Sequence, residues 1–359
     1  ERSLNLALNY GMNAMGIAVA DVNLDGWMDY FVTNLSTSVL VINQKNGEAF
    51  EDKTVSSGLA LPSINDTLYS GIPISWGANF FDFDHDMDED LFVCNGALNP
   101  TIRLNPNLFF RNDGGKFSQV AQDYDLFDVR IGRGSVIFDY DKDGDMDLLV
   151  VNQAPRQPTD LEGSLPEARC LLYRNEASDG NWLQIELEGM TVDKNGLGSR
   201  IELVVDDLLL VREIEGGSSH LSQNSTIAHF GLGTSEEVRS ITINWLGGKS
   251  QVITDVAVNQ RIKIIQDTEE LELSDDIKFK ISPNLLSGET LIEYELAQSG
   301  AVSILLYNAS GQLVKSIYER EQSKLGIINA DFADDLSTGS YYLKLITDGQ
   351  SIIRKAIKL

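Results

Sequence analysis

Asp139-Tyr140-Asp141-Lys142-Asp143-Gly144-Asp145-Met146-Asp147 places carboxylates at positions 1, 3, 5, 7 and 9 of a short stretch, with glycine at position 6. A hard dication such as Ca²⁺ takes roughly six to eight oxygens at about 2.3–2.6 Å, and alternate residues of a curled loop can supply them. Asp139, Asp141 and Asp143 then give side-chain oxygens, Asp145 its backbone carbonyl and Asp147 a closing carboxylate, while Gly144 permits the bend. A solvated acidic turn is the plain alternative. Strict alternation between two apolar runs, 136–138 and 148–151, favours a metal loop.

The pattern occurs twice more. Asp21, Asn23, Asp25, Trp27 and Asp29 repeat it with an amide at position 3, and Asp82, Asp84, Asp86, Asp88 and Asp90 repeat it with Met87 in the place of glycine. The three starts lie 61 and 57 residues apart, a period of supersecondary units too small to bury a core alone. The flanks repeat as well. Gly16, Gly77 and Gly134 lead apolar runs into the loops, and runs ending at Asn34, Asn95 and Asn152 lead out. Further runs reach Asn43, Asn112 and Asn175, and turns at Asn46-Gly47 and Asp113-Gly115 precede Phe50 and Phe117. Short β runs punctuated by Gly, Asn and Asp predict an antiparallel all-β repeat with up to three Ca²⁺ sites.

Residues 1–178 thereby resemble the FG-GAP/VCBS repeats of β-propellers, in which each unit is roughly a blade and an Asp-rich hairpin loop holds Ca²⁺. Met87 departs from that pattern at a position where φ is expected to be positive, and Asn23 lowers the charge of the first loop. Propellers close with about four to eight blades, so three units imply a chain that begins inside a propeller. A secretory leader is expected to be removed or to lie outside this sequence, which starts at Glu1 without one.

Residues 179–266 lose the period and show new alternating runs, 182–187, 199–205 and 240–245, with turns at 194–198 and 246–249 predicted as hairpin loops. Asn195-Gly196-Leu197-Gly198-Ser199-Arg200, Gly216-Gly217-Ser218-Ser219-His220-Leu221-Ser222-Gln223, His229-Phe230-Gly231-Leu232-Gly233 and Trp245-Leu246-Gly247-Gly248 are similar, in that order, to the UnbV/ASPIC module of bacterial surface proteins and the cartilage acidic protein family. His220 and His229 beside Ser218, Ser219 and Ser222 invite a hydrolase reading, but no nucleophile-elbow motif accompanies them. Hydrogen bonding within turns is expected of both histidines. Residues 231–235 are expected to form a turn, since they lack the lysine and spacing of a phosphate loop.

Residues 267–276 carry six acids in ten positions and are predicted to be a solvated linker. Residues 277–359 alternate again, over 290–296, 301–307 and 339–345 with a basic final run, as in a small β-sandwich. Ser282-Pro283-Asn284, Tyr307 to Val314, Leu336 to Tyr342 and the last strand resemble the C-terminal sorting domain of type IX secretion cargo in Bacteroidetes, although Leu285 stands where the family often has proline. That resemblance implies the secretion machinery as a partner and a secreted or outer-surface location. The fold class expected is all-β: partial propeller blades, a small β domain and an immunoglobulin-like sandwich.

The 359 residues carry a formal charge of −26 and 42% hydrophobic residues. Nucleic acid is excluded as a partner, because phosphate backbones are bound by clustered Lys and Arg. No apolar run is long enough to span a bilayer. Cys94 and Cys170 lie in apolar runs and are expected as buried free thiols or a single bridge. The leading functional expectation is a non-catalytic, Ca²⁺-stabilised binding or adhesion protein with a glycan or protein ligand. The alternative is a polysaccharide-acting hydrolase or lyase using the loop carboxylates as an acid–base pair.

Overall fold

The computed structural model describes residues 8, 10–44, 47, 49–60, 73–97, 105–154, 168–176, 179–247, 250–266, 277–282, 286, 289–308, 313–332, 336–347 and 350–358. The predicted linker 267–276 and residues 283–285 of the sorting-domain entry lie outside them. Among the described residues every regular element is a strand. The chain forms two compact units, Glu1–Asp267 and Thr268–Leu359.

The period seen in the sequence is a period of antiparallel meanders. β1 (Ile17–Ala20), β2 (Asp29–Val32), β3 (Val39–Gln44) and β4 (Ala49–Asp52) make the first sheet, in chain order. β5 (Ser75–Phe81), β6 (Asp90–Asn95), β7 (Leu108–Asp113) and β8 (Lys116–Gln119) make the second. β9 (Ile131–Phe138), β10 (Asp147–Gln153) and β11 (Leu171–Tyr173) make the third. Each acidic loop joins the first two strands of its sheet, so Ala20 pairs with Asp29, Phe81 with Asp90 and Phe138 with Asp147.

The sheets pack face to face through apolar side chains. Leu40, Phe31, Phe80, Leu91, Phe110 and Phe117 fill the space between the first and second. Phe81, Phe92, Phe109, Ile137 and Leu148 fill that between the second and third. Non-polar burial of this kind contributes about 25 cal/mol per Å². It gives each unit the partner it needs, because a lone sheet exposes one apolar face.

Residues 181–265 form two sheets. β12 (Asn181–Glu188) lies between β15 (Ala228–Gly233) and β18 (Gln260–Ile265), and the second sheet runs β14 (Leu208–Glu213), β13 (Arg200–Val205), β16 (Glu237–Asn244), β17 (Ser250–Ala257). Leu183, Ile185, Ile201, Leu203, Phe230 and Ile241 fill the core between them. The turn at 194–198 therefore crosses from one sheet to the other and is not the hairpin loop expected. The turn after Asn244 does close a hairpin, β16 with β17. Gly231 and Gly233 belong to β15, so the expected 231–235 turn is strand through Gly233.

In the second unit β19 (Ile277–Ser282), β20 (Glu289–Asn308), β22 (Gly339–Thr347) and β23 (Gln350–Lys358) form a sheet in that order, and β21 (Leu313–Asp331) pairs with β20. The two runs expected over 290–296 and 301–307 are one long strand, irregular in register between Glu295 and Val302. β21 escaped the sequence reading because Glu319, Arg320, Glu321 and Gly326 interrupt its alternation. Tyr294, Ile304, Leu306, Phe332 and Leu343 centre its core.

Candidate metal centre

The three acidic loops share one backbone. Residues at position 4, Leu24, His85 and Lys142, have φ of 55°, 59° and 65°, and those at position 6, Gly26, Met87 and Gly144, have 87°, 82° and 104°. Met87 thus adopts the left-handed conformation its glycine counterparts adopt freely, at a cost of about 1–2 kcal/mol.

The first aspartate of each loop closes the turn. Asp21 accepts hydrogen bonds from the Asp25 and Gly26 amides at 3.0 and 2.8 Å. Asp82 accepts from Asp86 and Met87 at 3.1 and 2.9 Å, and Asp139 from Lys142 and Gly144 at 2.6 and 3.3 Å. The aspartate at position 5 caps the next bend, Asp25 accepting from Trp27, Asp86 from Asp88 and Asp143 from Asp145.

The ninth aspartate is the structural tie. Asp29, Asp90 and Asp147 are buried. Each accepts one amide from position 2 of its own loop, Val22, Phe83 or Tyr140, and another from an asparagine near the end of the third strand or just past it, Asn43, Asn112 or Asn175. Asn112 then donates its side-chain amide to the Val22 carbonyl and Asn175 donates to that of Phe83. The second and third repeats are thereby each fastened to the loop of the repeat before, whereas the Asn43 side chain donates to Met28 of its own loop.

One carboxylate oxygen from each of Asp82, Asp84 and Asp86 lies within 4.8 Å of the other two, and Asp139, Asp141 and Asp147 converge in the same way. In the first loop Asn23 stands between Asp21 and Asp25, donating to Asp25 at 3.0 Å. At position 7 the side chains diverge. Trp27 lies under the Arg200 guanidinium, Asp88 accepts from Gly114, and Asp145 faces His85 Nε2 at 3.8 Å.

Electrostatics fit a dication. Burial pushes Asp90 up to about 10, Asp29 to about 7 and Asp86 to about 6, and raises Asp82 well above the usual carboxylate range. Asp84 Oδ1 is buried without a hydrogen-bond partner. A hard, oxygen-seeking cation would satisfy that oxygen and offset the desolvated charge. The third loop is more open, and Arg174 pairs with both Asp141 and Asp143 there, at 2.8 and 3.2 Å.

The middle domain sits on the loop-bearing side of the repeats. Leu24 and Met87 pack against its core. Arg212 pairs with the buried Glu89, and Arg200 donates to the Gly26 carbonyl at 2.6 Å. Gly231 leaves room for the Asp82 carboxylate, the Gly233 amide donates to the His85 carbonyl at 2.7 Å, and Trp182 covers Gly144. A cavity of about 270 Å³ remains at this junction, lined by Tyr30, Phe81, Asp82, Glu89, Arg212 and His229 among others.

Residues 218–225 lie along the three leading strands. The Ser219 amide donates to Ile17, the Ser225 amide to Ile137, and Asn224 donates to Asn79. Cβ atoms on Gly16, Gly77 or Gly134 would fall 2.5–2.9 Å from atoms of Trp76, Ser219, His220 or Ser222. The three leading glycines and the 216–223 phrase, unrelated in the sequence, are thus two halves of one contact.

The two histidines part company with respect to expectation, His220 lying in a turn and His229 in a strand. His220 hydrogen-bonds the Met15 carbonyl at 2.9 Å and meets Trp76 edge-on, whereas His229 stands within β15, buried with its ring 4.9 Å from that of His85. Among the described residues no serine hydroxyl hydrogen-bonds either imidazole; Ser222 donates to the His220 carbonyl. Cys94 and Cys170 are both free, Cys94 buried and Cys170 exposed, which departs from the burial expected of the latter.

Such a molecule is an all-β chain whose repeated acidic loops are seated beneath a second β domain and which continues into a separate C-terminal unit. Family models match two stretches: ASPIC and UnbV over residues 189–271, and the secretion system C-terminal sorting domain over residues 280–359. The chain therefore carries a UnbV/ASPIC domain and a type IX sorting domain, and is secreted or held at the outer surface. Its C-terminal domain implies engagement with the secretion machinery. Among the described residues no helix is long and apolar enough to cross a membrane.

Cartilage acidic protein 1 of Homo sapiens is 25% identical over 271 residues, 72% of this chain and 37% of that protein. The Mus musculus protein is 25% identical over 270 residues, 72% and 38%. This chain thus spans little more than a third of the length of those relatives. PorZ, a surface component of the type-IX secretion system of Porphyromonas gingivalis, aligns over 99% of this chain and 53% of its own at 11% identity, with a TM-score of 0.25.

Proposed function

We propose that the protein is a non-catalytic, Ca²⁺-stabilised binding or adhesion protein, whose first 178 residues are FG-GAP/VCBS propeller blades. The observation that carries the reading is the threefold loop with converging carboxylates in two copies and a buried, unpartnered Asp84 oxygen in one of them. Asp21, Asn23, Asp25 and Asp29 would hold a cation in the first loop, Asp82, Asp84, Asp86 and Asp90 in the second, and Asp139, Asp141, Asp143 and Asp147 in the third. The cation supplies charge neutralisation and cross-links the hairpin ends. Because the ninth aspartates also bind the third strands, its effect reaches the whole sheet.

A scaffold role agrees with repetition, since an active site occurs once. The long C-terminal strands would then form the immunoglobulin-like sorting module. A glycan and surface-protein array probed with the full chain in Ca²⁺ and in EDTA tests the binding role, with retention expected only in Ca²⁺. Cleavage of secreted polysaccharides that survives EDTA but is lost in Asp143→Ala would replace this reading with the enzymatic one.

A further inference from the structure

The strands β18, β12 and β15 of the UnbV/ASPIC domain align Arg261, Gln184 and His229 in one cross-strand row. All three side chains reach the acidic loops. Arg261 Nε donates to Gln184 Oε1 at 2.7 Å, and Gln184 Nε2 donates to Asp139 Oδ2 at 2.8 Å. Arg261 Nη2 reaches the same Asp139 oxygen at 3.3 Å. His229 meets the His85 ring of the second loop. Gln184 is only 1% exposed, a buried polar side chain whose amide nitrogen and oxygen both take part in this relay.

Asp139 is position 1 of the third loop, and one of its oxygens belongs to the converging set with Asp141 and Asp147. Asp139, like Asp21 and Asp82, accepts amides of its own loop, and among the described residues it alone of the three also accepts a side-chain amide from the neighbouring domain. Groups that hydrogen-bond a ligating carboxylate fix its orientation, and their loss typically costs about 10- to 100-fold in metal affinity.

The geometry points to a coupled interdomain site: Gln184, held by Arg261, is a positioning residue for the cation of the third loop, so that metal uptake there and seating of the UnbV/ASPIC sheet reinforce one another. This rests on the metal reading above. Coupling of this kind is reciprocal, since a ligand that favours one arrangement is favoured by it to the same extent. The charge of Arg261 opposes a nearby dication, whereas the Gln184 amide does not, and that difference separates positioning from simple electrostatics.

Tb³⁺ serves as the probe, because the Trp182 ring lies against Gly144 of the third loop and can sensitise its luminescence. The experiment uses the full chain in a Trp27→Phe background, and the signal of the third loop is defined as that lost in Asp143→Ala. Gln184→Leu should weaken Tb³⁺ binding there about tenfold. Arg174→Gln, which removes an exposed pair within the repeat, should tighten it. In the unsubstituted chain, Ca²⁺ should slow hydrogen exchange in β12 and β18, and Gln184→Leu should abolish that protection. Unchanged Tb³⁺ affinity in Gln184→Leu, together with no Ca²⁺-dependent protection of β12 and β18 in the unsubstituted chain, overturns the coupling while leaving the metal reading intact. Absence of any Tb³⁺ or Ca²⁺ uptake overturns both.

Discussion

The second and third acidic loops carry aspartates at the same five positions and live in different surroundings. Asp82, His85 and Asp90 are all 0% exposed beneath the UnbV/ASPIC domain. Asp141 and Asp143 of the third loop stay at the surface, where Arg174 pairs with both. The second loop thus gathers desolvated carboxylates, with Arg212 paired to Glu89 rather than to the converging aspartates; the third has Arg174 on its aspartates and is less buried. A shared motif sets the backbone turn, and the surroundings, the covering domain over the second loop and Arg174 of the repeat itself at the third, set its charge balance. The second loop should therefore depend most on a metal, and the third should be the most responsive to its protein neighbours.

Chelation should produce the largest effect. A native-state ligand at about a hundredfold over its dissociation constant contributes about 2.7 kcal/mol per site. In a unit of this size that corresponds to roughly 5–10 °C in Tm per site. Differential scanning calorimetry with and without EDTA should show the loss in the Glu1–Asp267 unit, and an unchanged Tm would break the comparison at its root.

Asp90→Ala comes next. It strands the buried Phe83 and Asn112 amides, each of which donates to this carboxylate at 3.2 and 2.8 Å. Leaving two buried amide donors without an acceptor should cost about 3 kcal/mol or more, and Asp90→Asn, which keeps one acceptor, about half. Urea denaturation of the two variants checks the ratio.

pH dependence gives a smaller and signed test. Burial raises Asp29 to about 7 and Asp90 to about 10, so the folded chain without metal keeps protons that the unfolded chain has already released. Stability then falls as pH rises from about 4, the unfolded carboxylate value, through 7 and towards 10. Calcium should remove this slope. Tm measured in EDTA at pH 5 and pH 8 should be higher at pH 5, and a rise towards pH 8 would contradict the desolvation of these groups.

Met87→Gly should have the smallest effect. Relief of about 1–2 kcal/mol of backbone strain is offset by lost packing of Met87 on the middle core, so Tm should move by only a few degrees. Second-loop Ca²⁺ affinity should rise a few fold. A large loss of stability would show that the thioether contact, and not the turn, holds this loop in place.

Much of the loop region was legible in the sequence because its causes are local. Alternating carboxylates, a bend residue at position 6 and flanking apolar runs lie within a dozen residues, and the positive φ at Met87 follows from the loop it copies. The seat of the loops was not legible. Gly16, just before β1, and Gly77 and Gly134, within β5 and β9, are small to admit Ser219 and Ser222, which come much later in the chain. Gly231 is small to admit Asp82, and His229 is buried against His85 rather than turned into a loop. Residue patterns report periodicity along a strand, whereas these choices are set by a partner surface brought together only on folding. The tie made by Asp29, Asp90 and Asp147 was half visible: the aspartates were read as cation ligands, and their bonds to Asn43, Asn112 and Asn175 emerged from strand pairing.

The most direct test of a metal-clipped scaffold is isothermal titration of Ca²⁺ into the chelator-stripped full chain. Saturable uptake of up to three ions, with one site lost in Asp84→Ala and another in Asp141→Ala, is the expected result. No heat of binding and no change in either variant would contradict it.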